Sequence, residues 1–162
     1  MKNPIAVCIL SLVFLTACST KSVFVGGGFY GYDGQKALGI MTIWNQGAKQ
    51  TWFDPGTGLA NAIAPSAAFT VELNANNDRI YLGGIFTQYN GQPANRIVAV
   101  DRDGKNLEGI SFKGGDGFNG PVHVIARDPN YNDSYFVGGE FTSYKGNPAP
   151  GIILIKGNGD ID

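Results

Sequence analysis

Metal-binding, catalytic and cationic side chains are scarce in this 162-residue sequence. It contains two cysteines and one histidine, and its 12 basic and 13 acidic residues leave a formal charge of −1. A zinc site needs several His or Cys ligands, so this composition excludes one. The absence of a basic cluster also excludes the electrostatic footprint of a nucleic-acid-binding protein. The sequence therefore implies no cofactor and no nucleic-acid partner.

A hydrophobic run long enough to span a membrane is also missing. The apolar stretch from Ile5 to Ala17 has 13 residues, whereas a transmembrane helix needs about 20. With Lys2 before it and small residues at its end, this stretch is typical of an export signal. The sequence predicts a helical signal peptide over residues 1–17. Its removal leaves 145 residues, of which 11 are basic and 13 acidic, and a net charge of −2.

The end of this stretch, Leu15-Thr16-Ala17-Cys18, resembles the lipobox of bacterial lipoproteins. The resemblance implies a diacylglycerol on the sulfur of Cys18, cleavage before that residue, and acylation of the freed amino group. Two or more acyl chains such as palmitate anchor a protein stably, whereas one holds it marginally. We therefore expect a cell-envelope lipoprotein with residues 18–22 as its lipidated N-terminus and tether. The alternative is an ordinary signal peptide with an incidental cysteine.

The residue after the cysteine bears on location. Ser19 stands where an Asp would resemble an inner-membrane retention signal in some Gram-negative bacteria. If the cell has an outer membrane, that membrane is the expected location of the lipid anchor.

A nine-residue motif, GGxFxxYxG, occurs three times, at offsets of 57 and then 55 residues. Each copy follows a short apolar pair and precedes an Ala, an apolar run and a polar turn. Three copies in register indicate a repeat protein, with approximate units 23–78, 79–133 and 134–162. The motif residues, interpreted as structural, are Gly26, Gly27, Phe29, Tyr32 and Gly34, then Gly83, Gly84, Phe86, Tyr89 and Gly91, then Gly138, Gly139, Phe141, Tyr144 and Gly146.

The second copy predicts four short strands, near Arg79 to Gly83, Ile97 to Asp101, Gly109 to Phe112 and Val122 to Arg127. Turn signals such as Asn90-Gly91 separate them. Four short strands every 50 to 60 residues, roughly, are the architecture of a propeller blade. The predicted fold class is all-β, with propeller-like four-stranded blade repeats after the N-terminal signal helix.

The number of repeats is smaller than a closed propeller needs. At about 55 residues per repeat, the chain after the signal supplies about 2.6 copies, whereas closed propellers use about 4 to 8 blades. The sequence thus predicts an incomplete propeller. We expect either a larger parent chain or a homo-oligomer.

The motif, the apolar strand after it, the Asp-Gly turn and Phe118-Asn119-Gly120-Pro121-Val122 resemble the bacterial delta-60 repeat. The first copy departs from that pattern, because Leu59 to Ile63 and extra residues replace the Phe-Asn-Gly-Pro-Val segment. The resemblance covers nearly all of the chain after the signal. It implies a propeller fold and does not imply a reaction.

Few side chains are candidates for chemistry. His123 lies in an apolar strand without a nucleophile motif nearby, which disfavours a catalytic or metal-binding role. Asp101 and Asp103 form a weak calcium candidate, but their turn is shorter than an EF-hand loop. A hairpin turn is the preferred interpretation there. The motif tyrosines are predicted to be core residues, with stacking on a sugar as the alternative if they are exposed.

The expected function is that of a membrane-anchored lipoprotein whose propeller-like domain binds a protein or a glycan. Two alternatives stay open. One is an extracytoplasmic propeller enzyme, such as a hydrolase or lyase, and the other is a structural component of the envelope. Axial His, Asp, Glu or Arg side chains would favour the enzyme, and aromatic rings on the rim would favour the binding module. No catalytic residue is predicted.

Overall fold

A computed structural model describes residues 16–18, 22–44, 47–62, 65–107, 117–131 and 133–162. These ranges form strands and turns and contain no helix, and accordingly no helix within them could cross a membrane. The strands are β1 Thr16–Cys18, β2 Ser22–Gly26, β3 Gly31–Tyr32, β4 Gln35–Lys36, β5 Ile40–Trp44, β6 Leu59–Ala60, β7 Ala68–Leu73, β8 Arg79–Gly84, β9 Gln88–Tyr89, β10 Gln92–Pro93, β11 Ile97–Asp101, β12 Val122–Arg127, β13 Ser134–Gly139, β14 Ser143–Tyr144, β15 Asn147–Pro148 and β16 Ile152–Lys156.

Three antiparallel sheets follow one another along the chain. The first sheet has the strand order β1-β2-β5, the second β7-β8-β11, and the third β12-β13-β16. Strands β8 and β13 end in the two glycines of the repeated motif, and β2 ends in the first of them. A small hairpin follows each middle strand: β3-β4, β9-β10 (which also pairs with β6) and β14-β15. The protein is therefore all-β, with propeller-like blade repeats.

The fourth strand of each blade is short in the described residues. Single bridges join Lys49 to β5, Asn106 to β11 and Ile161 to β16. The predicted strand from Gly109 to Phe112 lies outside the described residues. The fourth position of each sheet is thus marked by a bridge on the outer edge of the third strand.

The sheets are offset from the repeat units of the sequence. Strand β7, at the end of the first unit, pairs with β8 of the second, and β12 of the second unit pairs with β13 of the third. The turns between these partners are short, and short connections favour antiparallel pairing of neighbours. The first and second repeat units therefore each contribute strands to two successive sheets.

The signal segment differs from the prediction where the structure describes it. Thr16–Cys18 is extended and pairs with β2, Thr16 opposite Phe24 and Cys18 opposite Ser22. The predicted signal helix covered residues 1–17 and is wrong at Thr16 and Ala17, because the edge of β2 offers backbone hydrogen-bond partners there. Residues 1–15, including Leu15 of the predicted lipobox, lie outside the described residues.

Two hydrophobic clusters join the three sheets face to face. The cluster between the first and second sheets includes Phe24, Ile40, Ile80, Leu82 and Val98. The cluster between the second and third sheets includes Tyr81, Ile97, Val137 and Ile155. Successive residues of a strand point to opposite faces, so β8 sends Tyr81 to one neighbouring sheet and Leu82 to the other. Apolar side chains on both faces explain the continuous apolar runs in the sequence.

The paired glycines of the motif allow close approaches between chain segments. A Cβ on Gly83 would lie 2.5 Å from Cγ1 of Val122 in the third sheet. A Cβ on Gly84 would overlap the carbonyl oxygen of Ala67, and one on Gly139 that of Pro121. Glycine is the residue that leaves room for another backbone at such points.

Candidate ligand-binding surface

The motif tyrosines have the same kind of hydrogen-bond partner in every copy. Their hydroxyls donate to the carbonyl oxygen of the glycine 15 residues later: Tyr32 to Gly47 at 2.6 Å, Tyr89 to Gly104 at 2.5 Å and Tyr144 to Gly159 at 2.5 Å. Tyr89 and Tyr144 are fully buried, and Tyr32 is half-buried. Burial raises the pKa of Tyr89, and the charges of Asp101 and Asp54 add to the effect. None of the three rings is exposed, so we interpret these tyrosines as structural links between each small hairpin and the polar turn of its blade.

In the candidate calcium turn, the carboxylate of Asp101 accepts hydrogen bonds from the backbone of the turn itself. Oδ1 of Asp101 accepts hydrogen bonds from the backbone N–H of Asp103 at 3.0 Å and of Lys105 at 2.8 Å. Gly104 in the same turn has φ +88°, a value that favours glycine. Within the described ranges, no three His, Cys, Asp or Glu side chains are grouped to hold a metal ion. Asp101 therefore closes a hairpin turn.

Two β-bulges lie at equivalent positions in neighbouring sheets. The bulged residues are Phe69 in β7, where the register against β8 shifts, and His123 in β12, where the register against β13 shifts. A bulge turns a side chain away from the regular alternation of its strand. The two rings stack, with centroids 5.4 Å apart and planes inclined by 16°. The bulges therefore bring one aromatic ring from each of two sheets together.

A carboxylate completes this arrangement. Nε2 of His123 lies 2.9 Å from Oε1 of Glu140, and the imidazole N–H donates because an ionised carboxylate only accepts. The side chains are 46 % and 76 % exposed, so the pair contributes little to stability. The backbone N–H of Glu140 donates to the carbonyl oxygen of Pro121 at 2.9 Å, which holds Glu140 beside the start of β12.

Thr142, two residues after Glu140 in the chain, forms hydrogen bonds with Asn119. Oδ1 of Asn119 accepts from the backbone N–H of Thr142 and of Ser143, both at 2.9 Å, and Nδ2 donates to Oγ1 of Thr142 at 2.8 Å. Asn119 and Thr142 are exposed. We call Phe69, His123 and Glu140, with Asn119 and Thr142 beside them, the bulge patch.

The sequence pattern did not predict this patch. His123 was predicted to lie in an apolar strand, and it does lie in β12, but the bulge leaves its imidazole exposed. Glu140 aligns with Ile85 and Gly28 in the other copies, so the repeat comparison gave it no partner. The available signal was a polar His within the otherwise apolar start of a strand, at the position that Phe69 occupies in the preceding sheet.

A second polar cluster joins the second and third sheets. Arg79 forms an ion pair of 3.1 Å with Asp133, and the hydroxyl of Tyr81 donates to the carbonyl oxygen of Gly157 at 3.0 Å. The hydroxyl of Tyr135 donates to Oδ1 of Asp133 at 3.1 Å. Burial raises the pKa of both Tyr81 and Tyr135. Because the two tyrosines are buried between sheets, we interpret this cluster as a structural link.

The comparison with protein families supports the propeller assignment. Residues 75–105 and 132–162 match a domain of unknown function (DUF5122) described as a beta-propeller. No curated protein and no solved structure matches the chain. The two matching segments contain β8 to β11 and β13 to β16, so the similarity falls on corresponding parts of the second and third sheets. The chain resembles a propeller repeat family, and its lipoprotein character stays a prediction.

Proposed function

We propose that this protein is an envelope-anchored binding module that takes a glycan at the bulge patch. The observation that carries the proposal is the stacked ring pair of Phe69 and His123 beside the exposed carboxylate of Glu140. A sugar presents both apolar C–H groups and hydroxyls. Aromatic surface suits the C–H groups, and a few convergent polar groups orient a ligand.

Binding to a set of bacterial surface oligosaccharides tests this proposal. The full chain, purified in neutral detergent, is applied to an oligosaccharide array, and a saccharide retained there is titrated by calorimetry. We expect Phe69→Ala and Glu140→Gln each to weaken binding by about tenfold or more, which corresponds to about 1.4 kcal/mol. Tyr131→Ala is the matched control, because it removes an exposed aromatic ring outside the patch. No saccharide binding, or equal losses in all three variants, would refute the proposal.

The His123–Glu140 pair also favours a second candidate, an extracytoplasmic enzyme. A histidine hydrogen-bonded to a carboxylate is a common arrangement for general acid–base catalysis. The two candidates differ in the fate of the ligand. An enzyme converts the saccharide on prolonged incubation and loses turnover in Glu140→Gln, whereas a binding module returns it unchanged.

The lipid anchor is the other half of the proposal, and it rests on the lipobox resemblance. Cleavage before Cys18 removes Thr16 and Ala17 from β1, so processing would open the edge of β2. Cells expressing the chain are labelled with a radioactive fatty acid. We expect Cys18→Ala to abolish the label and Cys8→Ala, the matched control, to leave it unchanged. Equal labelling of wild type and Cys18→Ala would contradict the anchor.

A further inference from the structure

Each sheet has a front face, which points toward the sheet that follows it in the chain. Corresponding residues of the middle and third strands lie on this face in the same register. They are Phe24 and Ile40 in the first sheet, Tyr81 and Ile97 in the second, and Phe136 and Ile152 in the third. These two positions of the front face are apolar in all three sheets.

The front faces differ in exposure. Ile40 and Ile97 are 0 % exposed, because the next sheet covers them, whereas Ile152 is 65 % exposed. Phe136 is 42 % exposed, although its counterparts Phe24 and Tyr81 are buried. Val124 on β12 is exposed as well. Exposed apolar side chains that adjoin one another mark an interaction surface.

The glycine motif supports the same conclusion. Val122 and Ile125 of the next sheet pack against the backbone of Gly83. Their nearest side-chain atoms lie 2.5 and 3.1 Å from the position that a Cβ of Gly83 would occupy. Around Gly138, its counterpart in the third sheet, the nearest atoms come from Val124 of the same sheet and from Gly151, which precedes β16. The third sheet thus has, at Gly138, the space that a following sheet fills at Gly83, and no following sheet lies among the described residues.

A matching surface exists at the other end of the chain. The back faces of the second and third sheets fit the front faces before them, through Ile80, Leu82, Val98 and Val100 and through Tyr135, Val137, Ile153 and Ile155. The corresponding residues of the first sheet are Val23, Val25, Met41 and Ile43. They are also apolar; Met41 is buried, and Val23, Val25 and Ile43 are half-buried.

We propose that the front face of the third sheet binds the back face of the first sheet in a second copy of this chain. The contact would repeat an interface that the chain already forms twice within itself. It joins two different surfaces, so successive contacts either close a ring or extend a filament. This inference concerns a surface other than the bulge patch and does not depend on glycan binding.

Sedimentation velocity of the full chain in neutral detergent tests the interface. We expect wild type to form oligomers at micromolar concentration and Ile152→Asp to weaken association by about tenfold or more, because the contact would bury an unpaired charge. Ile43→Asp should have the same effect from the other side. Tyr131→Asp is the matched control, since Tyr131 is 64 % exposed but lies in a turn outside the sheet face.

Mixing the two interface variants gives the decisive measurement. Ile152→Asp retains an intact back face on its first sheet, and Ile43→Asp retains an intact front face on its third. Alone, each should sediment as a monomer, and together they should form a discrete one-to-one dimer. Circular dichroism checks that both variants keep the β spectrum of wild type, and Val23→Asp replaces Ile43→Asp if the latter does not fold. A monomeric wild type, or folded variants that associate like wild type, would overturn the proposal, as would a mixture that stays monomeric.

Discussion

The hydrogen bond between Tyr89 and the polar turn offers a quantitative test of the repeat architecture. Tyr89→Phe removes one hydroxyl and keeps the ring in the core. The hydroxyl donates to the carbonyl oxygen of Gly104 at 2.5 Å, and both residues are buried. A net hydrogen bond contributes about 0.5–1.5 kcal/mol, and a buried acceptor left without a partner costs about 1–3 kcal/mol. We therefore expect Tyr89→Phe to lower the free energy of unfolding by about 1–3 kcal/mol.

The three copies supply matched controls for this substitution. Tyr144→Phe should cost as much, because Tyr144 is fully buried and Gly159 is buried too. Tyr32→Phe should cost less than about 1 kcal/mol, since Tyr32 and Gly47 are half-buried and water can replace part of the lost hydrogen bond.

Urea unfolding of the full chain in neutral detergent, followed by the fluorescence of Trp44 and Trp52, measures these differences. The midpoint should shift while the slope stays constant, because the surface exposed on unfolding is unchanged. Thermal unfolding should show a decrease of about 2–4 °C for each kcal/mol. If Tyr32→Phe cost as much as Tyr89→Phe, or if Tyr89→Phe cost nothing, the reasoning from burial and hydrogen bonding would be wrong.

Three further predictions follow from the same geometry. Gly84→Ala should lower the free energy of unfolding by about 1–3 kcal/mol, because the added Cβ would overlap the carbonyl oxygen of Ala67. Gly28→Ala is the control and should be tolerated, because its Cβ would meet only an ordinary contact of 3.5 Å with Ala67. Equal urea midpoints for the two variants would contradict this prediction. Burial raises the pKa of Tyr89 and Tyr135 above the value of the unfolded chain. Their contribution to the free energy of unfolding is therefore full below about pH 10 and declines as the pH rises further. Urea midpoints that stay constant up to about pH 12 would contradict this pH dependence. Calcium titrated into the full chain should give no saturable heat, and a one-to-one isotherm abolished by Asp103→Ala would show that the turn binds the ion.

The sequence was sufficient to predict the all-β fold class and several strand boundaries. The prediction of a strand from Val122 to Arg127 is confirmed at both ends, and the one from Arg79 to Gly83 is one residue short of Arg79–Gly84. These boundaries depend on local features, namely the length of an apolar run and the turn residues beside it. The repeated motif also carried the family resemblance to propellers, because each blade has to meet the same packing requirements.

The tertiary structure decided how those strands are grouped and which side chains meet. The sequence repeat does not say that β12 pairs with the strand after it, because that choice depends on the turn geometry and on how the sheets stack. The contact of Phe69 with His123 joins residues 54 positions apart and exists only because two bulges face each other across a sheet interface. The exposure of Ile152, whose counterparts Ile40 and Ile97 are buried, has the same origin: identical local patterns become core or surface according to whether another sheet packs on them.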